Sequence, residues 1–476
     1  MGLIDFIILG LYFLTVLGIG FYYLKRNKDS EDYYVGGRSM GPGHIGLSVV
    51  ATDVGGGFSI GLGGLGFAMG VSGSWMLFTG LIGAWLAAVL LIPKVFDFSR
   101  ENKLMTFPQL LGKHYNGKVA LLAGIISAIG YIGFTSSQLL AGAKLATATF
   151  PSISTLQALF FMGIIAIAYT SLGGLKAVVY TDTIQWIILM VGLIFVGIPV
   201  GFFAVGGMEG LRASLPAEFF SLTNVSAGKL GSWAVTIIPI WFIGMTLYQR
   251  IYASRSEKDA KNAWFLAGIF EYPIMAFMGV LLGMFGRAAA GQGMFAAIGY
   301  ANVAEMDPEL GLPLLLRNVL PTGVMGLLLA AYFSAIMSTA DSCLMAASGN
   351  VLTDIFRGGD SSEMKKRPWF FSPHLITVSI GVLSLLLASA MQNVLELMLY
   401  SYAFMVSGLL IPVLGFLYFK KKSPAAALSS MFAGGGATLL ITILEWELPY
   451  ELEPIFIGII LSLVVFVVVT KFAKEK

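Results

Sequence analysis

The chain is built from apolar runs, and each run is close to the ~20 residues that a helix needs to cross a lipid bilayer. Only 12% of the 476 residues are charged, about half of the fraction that is usual in a soluble domain. Backbone polar groups find no partners in lipid, so runs of this length must be helices. The sequence therefore predicts an all-α polytopic membrane protein with about 13 transmembrane helices. The predicted spans are 3–24, 45–69, 74–96, 119–147, 154–172, 178–206, 231–251, 263–289, 320–355, 374–391, 394–419, 424–445 and 452–472.

The positive charges indicate how these spans are oriented. If the N-terminus lies outside, 24 of the 29 Lys and Arg residues fall on the inner side of the membrane, as the positive-inside rule requires. One of the inner clusters is Arg250, Arg255, Lys258 and Lys261. We therefore expect an N-terminus outside and a C-terminus in the cytoplasm, in a plasma membrane such as the bacterial inner membrane.

The first span is expected to be retained in the mature protein. Lys25, Arg26 and Lys28 follow its apolar run, whereas a cleaved signal peptide carries its positive charges before the run. No linker or change of composition divides the rest of the chain. Residues 1–476 are therefore predicted to form a single transmembrane domain.

A glycine-rich stretch at 49–70 is the most unusual of these runs. It holds eight glycines and one carboxylate, Asp53. Glycine destabilises a helix interior by about 0.5–1 kcal/mol relative to alanine, so the triplet 55–57 indicates a helix that opens within the membrane. Open backbone at that depth lines a cavity or is buried in protein, and it carries ion and substrate sites in secondary transporters. The alternative is a glycine face for close helix packing, which leaves Asp53 unexplained.

A second polar stretch lies in the ninth predicted span, at 330–348. Its hydroxyls and one carboxylate fall on one helical face, with Thr339 beside them. Oxygen ligands without histidine or cysteine suit Na⁺ better than a transition metal. The alternative is that the hydroxyls bond to carbonyls of the preceding helical turn, with the acid as a structural acceptor. The residues on this face are Ser334, Ser338, Asp341 and Ser342.

A third polar stretch, at 168–186, joins two predicted spans. Gly173-Gly174 is expected to end the first of them, and Lys176 to mark the inner membrane surface. Asp182 lies early in the following span. It either complements the dipole at a helix N-terminus or binds a cation, and the residues alone do not decide between these roles.

Together these stretches resemble the sodium/solute symporter family. The matching pieces are A-T-D-V-G-G-G, Y-T-S-L-G-G-L-K-A-V-V-Y-T-D-T-I-Q, L-Y-Q-R-I-Y-A-S and S-A-I-M-S-T-A-D-S-C-L-M-A-A-S. The chain is most similar to the sodium/proline and high-affinity choline branches. Asp53 follows the proline pattern, whereas V-G-G-G-F and M-S-T-A-D-S follow the choline pattern.

The resemblance implies a LeuT-type fold with two inverted five-helix repeats. The first repeat would span 45–206 and the second 231–419. An extra N-terminal helix at 3–24 would precede them, and two C-terminal helices at 424–472 would follow.

The resemblance also implies Na⁺ sites. The first would lie between spans two and nine and a possible second one beside it. Because family members can have serine where this chain has Asp341, the number of ions stays open. The first set is the carbonyls of Ala51, Val54 and Ala335 with the hydroxyls of Ser338 and Thr339. The second set is Asp182, Asp341 and Ser342.

The solute pocket is expected beside the breaks of spans two and seven, with walls from spans three and four. For its aromatic members a place in the core or facing lipid is the alternative. Gly244 stands where an aromatic residue would be needed in span seven, which argues against a full aromatic cage for a quaternary amine. The candidates are Asp53, Gly56, Phe58, Trp75, Phe134, Gln138, Trp241 and Met245.

Two further ionisable residues fall inside predicted spans. Glu271 precedes Tyr272-Pro273 and could pair with a substrate amine, titrate a proton or accept from a neighbouring hydroxyl. Lys144 lies near an outer helix end, where its long side chain is expected to reach the interface without a functional role.

The sequence thus predicts Na⁺-coupled symport of a small organic solute, an amino acid or a zwitterion such as proline, by alternating access. The alternatives are a monocarboxylate, vitamin or sugar-like solute, or a transporter-like channel or receptor. An enzyme is not expected, since the three histidines fall near span ends. The expected partners are the solute and the lipid bilayer. A net charge of +3 gives no indication of nucleic acid, and no obligate protein partner is evident.

Overall fold

The structure is a computed structural model, and every regular element among its described residues is helical. It describes residues 2–24, 34–53, 55–150, 152–300, 302–356, 372–419, 421–449 and 452–472. The predicted inner-side charges at 25–28 and 357–367, and the predicted ligand Val54, lie outside these residues. The helices are α1 (Leu3–Leu24), α2 (Pro42–Asp53), α3 (Gly56–Met69), α4 (Trp75–Leu90), α5 (Ile92–Glu101), α6 (Phe107–His114), α7 (Gly117–Thr149), α8 (Thr155–Gly192), α9 (Ile198–Ala204), α10 (Gly207–Ser214), α11 (Ala227–Ile243), α12 (Met245–Ala253), α13 (Glu257–Ile269), α14 (Ala276–Gly291), α15 (Gly311–Val319), α16 (Val324–Gly349), α17 (Pro373–Ser389), α18 (Val394–Tyr418), α19 (Pro424–Ile443) and α20 (Pro454–Phe472).

The membrane-spanning character of the chain is confirmed. Within the described ranges, nine helical segments are long and apolar enough to cross a bilayer, and three shorter apolar helices accompany them. The count of thirteen spans therefore stays a prediction.

Breaks in the middle of two spans position the functional site. Between α2 and α3 the backbone leaves the helix, and Gly55 is extended with φ −51° and ψ −167°. Between α11 and α12 the same happens at Gly244, with φ −64° and ψ 114°. The opening predicted for span two is confirmed, and the break in span seven lies at the glycine singled out by the sequence.

The two spans predicted at 154–172 and 178–206 fall largely within a single helical run, α8. A straight helix of its 38 residues would be about 57 Å long. That is nearly twice the ~30 Å thickness of the hydrocarbon core. The predicted end of a span at Gly173-Gly174 lies outside the residues whose environment is described.

Contacts within α8 show that it is not straight. Met162 packs beside Gly142 and Ile336, and Gly192 packs against Leu328. Ile336 and Leu328 are only about 12 Å apart on α16, whereas Met162 and Gly192 would be about 45 Å apart on a straight helix. The run crosses the protein and returns, and we refer to 155–171 and 175–192 as its first and second arms.

The glycines of 49–70 also pack helices closely, as the alternative explanation proposed. A Cβ on Gly66 would overlap the backbone of Val280, and a Cβ on Gly283 would overlap the backbone of Gly63. The backbones of α3 and α14 are therefore in direct contact. Both explanations hold, since the break occupies the start of the stretch and the packing face occupies the rest.

Candidate functional site

The first predicted cation site is assembled where the break between α2 and α3 meets α16. Thr339 Oγ1 donates to the Ala51 carbonyl at 2.9 Å and lies 3.3 Å from the Ala335 carbonyl oxygen. The approach is close because Gly55 has no side chain, and a Cβ there would overlap the Thr339 hydroxyl. Three of the five predicted ligands thus lie together, and all of them are buried.

Ser338, a fourth predicted ligand, connects this site to Asp182. Its hydroxyl donates to Asp182 Oδ1, while Asp182 Oδ2 accepts from Ser48 of α2 at 2.5 Å. The carboxylate is completely buried and binds side chains of two other helices. Asp182 thus lies inside the helical run Thr155–Gly192 and is held by side chains of two other helices, and its role in cation binding stays a prediction.

Arg250 lies in the middle of the same cluster, although the sequence placed it at the inner membrane surface. Its guanidinium is inaccessible to solvent. Nη2 donates to Ser342 at 2.6 Å, to Thr52 at 2.7 Å and to Ser48 at 3.1 Å. The same nitrogen lies 3.5 Å from Asp182 Oδ2. Arg250 thus joins α2, α8, α12 and α16 through one planar group.

The misplacement of Arg250 has a physical reason. The positive-inside rule counts a basic residue by its position along the chain, and Arg250 falls next to the inner loop that holds Arg255. However, Arg250 lies six residues after the break at Gly244, about 9 Å along a helix, and the break brings α12 into the interior. A basic residue that closely follows a helix break was the sequence signal that could have placed Arg250 in the interior.

Of the three residues of the possible second cation site, Asp182 and Ser342 share Arg250 as a partner, whereas Asp341 has a partner on the first arm of α8. The Asp341 carboxylate accepts from the Thr170 hydroxyl of the first arm of α8. Ser342 accepts from Arg250 and lies 3.1 Å from Thr52 Oγ1. Because Arg250 contacts both Ser342 and Asp182, a second Na⁺ between these two would have to approach a fixed positive charge.

The buried charges of this cluster do not balance when both acids are ionised. Asp182 and Asp341 contribute two negative charges and Arg250 contributes one positive charge, and all three side chains are at least 99% buried. A net negative charge in a poorly solvated interior favours a cation. With both acids ionised, the cluster would therefore be stabilised by a bound cation, as it would by a proton on one of the acids.

Polar and aromatic side chains of α7 and α12 meet beside the break at Gly244. The Thr246 backbone N–H, at the start of α12, donates to the Tyr131 hydroxyl at 3.2 Å. On α7, one turn after Tyr131, the Phe134 ring packs edge-on against Tyr402, with centroids 4.9 Å apart. The sequence predicted Phe134, whereas the contact of Tyr131 with Thr246 beside the break and that of Tyr402 with Phe134 are visible only in the fold.

Gln138 lies one turn beyond Phe134 on α7. It is completely buried, and its amide donates to Ser137 at 3.2 Å. Of the predicted solute ligands, Phe134 and Gln138 thus lie on the interior of α7. For Asp53, Gly56 and Phe58 the side-chain environment lies outside the description, and their roles stay predictions.

The other three predicted solute ligands lie in different surroundings. The Trp75 indole donates to the Leu222 carbonyl in the loop before α11, at 2.8 Å. Trp241 packs against Gly83 and lies 6.3 Å from Trp264, centroid to centroid. The Met245 sulfur accepts from the backbone N–H of Phe107 on α6 at 3.1 Å. For the two tryptophans these surroundings agree with the alternative of a packing role, and the role of Met245 stays a prediction.

Lys144 does not extend to the interface as expected. It is 8% exposed, and its ammonium binds Asp307 at 2.5 Å and Glu309 at 2.6 Å. Glu309 in turn accepts the backbone N–H groups of Val394 and Leu395 at 3.1 and 3.0 Å. This network fastens the loop before α15 to α7 and to the start of α18.

Glu271 is also completely buried. It lies in the π-helical turn Phe270–Met275 that interrupts span eight. A Cβ on Gly80 of α4 would overlap its carboxylate. The roles considered for Glu271 remain open.

Broken helices, a cluster of hard oxygens and buried counter-charges define a cation-coupled membrane transporter. A model of the sodium:solute symporter family matches residues 33–434. The chain belongs to this family, and the family resemblance of its motifs is thereby confirmed.

Relatives and solved structures agree with this assignment. The chain is 29% identical to the osmoregulated proline transporter OpuE of Bacillus subtilis, over 98% of this chain and 94% of that protein. It is 28% identical to the high-affinity proline transporter PutP of the same organism, over 94% of each chain. A sodium/proline symporter of Staphylococcus aureus is 26% identical over 99% of this chain and 93% of that protein.

Two solved structures share the fold. A substrate-bound, outward-open Na⁺-coupled sialic acid symporter aligns with a TM-score of 0.80 at 20% identity, over 100% of this chain and 99% of that chain. Mhp1, a transporter of the nucleobase-cation-symport-1 family, aligns with a TM-score of 0.54 at 14% identity, over 92% and 94% of the chains. The LeuT-type fold expected from the sequence is confirmed.

Proposed function

We propose that this chain is a Na⁺-coupled proline symporter of a bacterial plasma membrane, with its N-terminus outside. The observation that carries the proposal is the Thr339 hydroxyl, which lies within hydrogen-bond distance of carbonyl oxygens on both sides of the contact between α2 and α16. The identity of the solute is inferred from the proline transporters among its relatives.

The oxygens around Thr339 have the chemistry that Na⁺ requires. They are carbonyl and hydroxyl groups without nitrogen or sulfur, as suits a hard cation. Ser338 joins them to Asp182, whose negative charge favours a cation beside it. Ala51, Ala335, Ser338, Thr339 and, by resemblance, Val54 would hold the ion. An ion there would fasten the broken span to α16.

The pocket at the second break has the chemistry that proline requires. The Thr246 N–H at the start of α12 donates to the Tyr131 hydroxyl, and the N-terminus of a half-helix favours a carboxylate. Phe134 and Tyr402 offer aromatic surface to an apolar ring. Asp53 would meet the secondary ammonium group. A solute of this kind therefore binds between α3, α7, α12 and α18.

Both sites involve the broken spans, which provides the coupling. Na⁺ that holds the α2–α3 break against α16 stabilises the arrangement in which the solute pocket is complete. Such coupling is reciprocal, so that proline must raise the affinity for Na⁺ by the same factor. Closing the pocket from one side and opening it from the other completes transport.

Uptake by proteoliposomes tests this function. Radiolabelled proline should accumulate when a Na⁺ gradient points inward and not when Li⁺ or K⁺ replaces Na⁺. An inside-negative potential should accelerate uptake, because each charge moved is worth about 2.3 kcal/mol per 100 mV. Unlabelled choline, a monocarboxylate and a sugar serve as competitors. Uptake driven by a pH gradient alone would refute Na⁺ coupling. Competition by another solute but not by unlabelled proline would refute proline as the transported solute.

A further inference from the structure

A cavity of about 230 Å³ lies between α1, the second arm of α8 and α16. It is separate from both sites described above. Its walls are formed mainly by aliphatic side chains and Ala330 and Ala331. It is about half again as large as the ~150 Å³ apolar cavity that is known to accept benzene.

The mouth of this cavity opens on the surface that faces lipid. Ile184, Ile188 and Leu327 line the cavity and are 58%, 38% and 48% exposed. The second arm belongs to the helical segment Leu175–Ala204, which is long and apolar enough to cross a membrane and is mostly exposed on its most apolar part. Acyl chains, not water, therefore surround the entrance.

The closed end of the cavity is polar. Gln185 and Ser334 line it, with exposures of 6% and 1%. The Gln185 amide donates to the Tyr12 hydroxyl at 3.2 Å, and Gln185 Oε1 has no hydrogen-bond partner among the residues that the structure describes. Ser334 Oγ lies beside the same Tyr12 hydroxyl, and when it accepts from Tyr12 its own hydrogen is left to donate. If the amide were turned over, its nitrogen would lack a partner instead. Buried polar atoms in this condition favour a ligand that bonds to them.

We propose that this cavity binds a single-chain amphiphile from the bilayer whose head is an uncharged hydroxyl group. A hydroxyl can donate to Gln185 Oε1 and at the same time accept from Ser334, so one group satisfies both atoms. The alkyl chain follows the aliphatic walls to the mouth and continues among the acyl chains. A charged head is excluded by its cost of desolvation in an apolar cavity.

The cavity lies next to the cluster formed by Asp182, Ser338 and Arg250 but is not part of it. Gln185 lies one turn after Asp182 on α8, and Ser334 one turn before Ser338 on α16. Binding there can be measured without transport, so the inference stands or fails independently of the proposed function.

Photolabelling of the full-length protein in nanodiscs of defined phospholipid tests the proposal. The probe is a 1-alkanol with a diazirine at mid-chain, and its matched control is the same chain without the hydroxyl. Mass spectrometry should locate the alkanol adducts mainly on α1, the second arm of α8 and α16. An excess of 1-decanol should reduce these adducts at least tenfold, and decane should not.

Three variants sharpen the test. Ala331→Phe fills the cavity and should reduce labelling there at least tenfold. Ile164→Phe, on the exposed first arm of α8 and outside the cavity, should leave it unchanged. Should Ala331→Phe fail to fold, Ser334→Ala removes a single oxygen and should bring alkanol labelling towards the level of the hydroxyl-free probe.

Two results would overturn the inference. The first is adducts spread evenly over the lipid-facing helices, with α20 labelled as strongly as α8. The second is equal competition by decane and 1-decanol, which would mean that Gln185 and Ser334 recognise no head group.

Discussion

The buried pair of Arg250 and Asp182 gives the sharpest prediction about what stabilises the cation cluster. The two side chains are inaccessible, and their charged atoms lie 3.5 Å apart. With an effective dielectric constant of about 20, the Coulomb attraction at that distance is about 5 kcal/mol. Loss of one partner from a buried pair costs about 3–5 kcal/mol, since the other charge is left uncompensated. Arg250→Met should therefore lower the free energy of unfolding by about 3–5 kcal/mol.

A double-mutant cycle separates this effect from a general loss of packing. The variant that combines Asp182→Asn with Arg250→Met holds neither charge, so it should be more stable than additive costs imply, by about 1–3 kcal/mol. The matched control is Arg255→Met. Arg255 also pairs with a carboxylate, that of Asp259 at 2.9 Å, but its side chain is 66% exposed. An exposed pair of this kind should contribute less than about 1 kcal/mol.

Denaturant unfolding of the purified protein in detergent, followed by tryptophan fluorescence, measures these differences. The titration is repeated with Na⁺ and with K⁺. Na⁺ should stabilise Arg250→Met more than the wild type, because Asp182 then lacks its counter-charge. Strictly additive costs across the cycle, or an Arg250→Met variant as stable as Arg255→Met, would refute the idea that the guanidinium neutralises Asp182.

Four further predictions follow from single residues. Thr339→Ala should raise the Na⁺ concentration for half-maximal proline uptake about tenfold, or 1.4 kcal/mol. Thr339→Ser keeps the oxygen, so its Na⁺ concentration for half-maximal uptake should stay near that of the wild type. Equal effects of the two substitutions would exclude Thr339 as a Na⁺ ligand. Asp53→Asn should weaken proline affinity or Na⁺ dependence about tenfold with normal membrane insertion, and unchanged uptake kinetics would reduce Asp53 to a structural acceptor. Lys144→Met leaves the buried Glu309 without its ammonium and should lower the melting temperature clearly, whereas Lys118→Met on the exposed start of α7 should not. Burial and the nearby Lys422 charge lower the pKa of His114 to about 4 from an ordinary value near 6.5. The unfolded chain therefore binds the proton at higher pH than the folded protein, so the free energy of unfolding should be highest above about pH 6.5 and should fall towards pH 4. Melting temperatures measured across this range should fall less in His114→Gln than in the wild type.

The spans and the first break could be predicted because the bilayer acts on short stretches of chain. Lipid demands an apolar helix of about 20 residues, and a glycine triplet beside an acid weakens such a helix wherever it folds. The assignments 3–24, 374–391 and 394–419 therefore agree closely with α1, α17 and α18. The boundary between 154–172 and 178–206 was harder to assign, since the chain reverses direction within a helical run.

The ligands around Thr339 were accessible to sequence analysis only through the family resemblance. Ala51 and Ala335 contribute backbone carbonyls, and a carbonyl is present in every residue, so that no side chain marks it as a ligand. The contact itself depends on Gly55, whose missing side chain admits the Thr339 hydroxyl. Residue type and spacing could indicate that oxygen ligands were present, but not which ones meet.

The two buried cations show where sequence analysis failed. Arg250 and Lys144 were assigned to the membrane surfaces, because a charge is stable there whatever the fold. In the structure each is at least 92% buried and bound to acids. Their partners, Asp182 and Glu309, lie on other helices and far along the chain, and no local pattern connects them.

The sequence by itself determined that this protein is an α-helical membrane transporter with a weakened, acid-bearing span and a hydroxyl-rich one. These properties follow from the free energy of single segments in lipid, which depends on composition and spacing alone. Only the tertiary structure decided which oxygens meet around Thr339, that Asp182 is paired with Arg250, and that the Tyr131 hydroxyl meets the start of α12 at the second break. Those are contacts between distant segments, and each exists because other helices hold both partners in place against the cost of burying their polar groups.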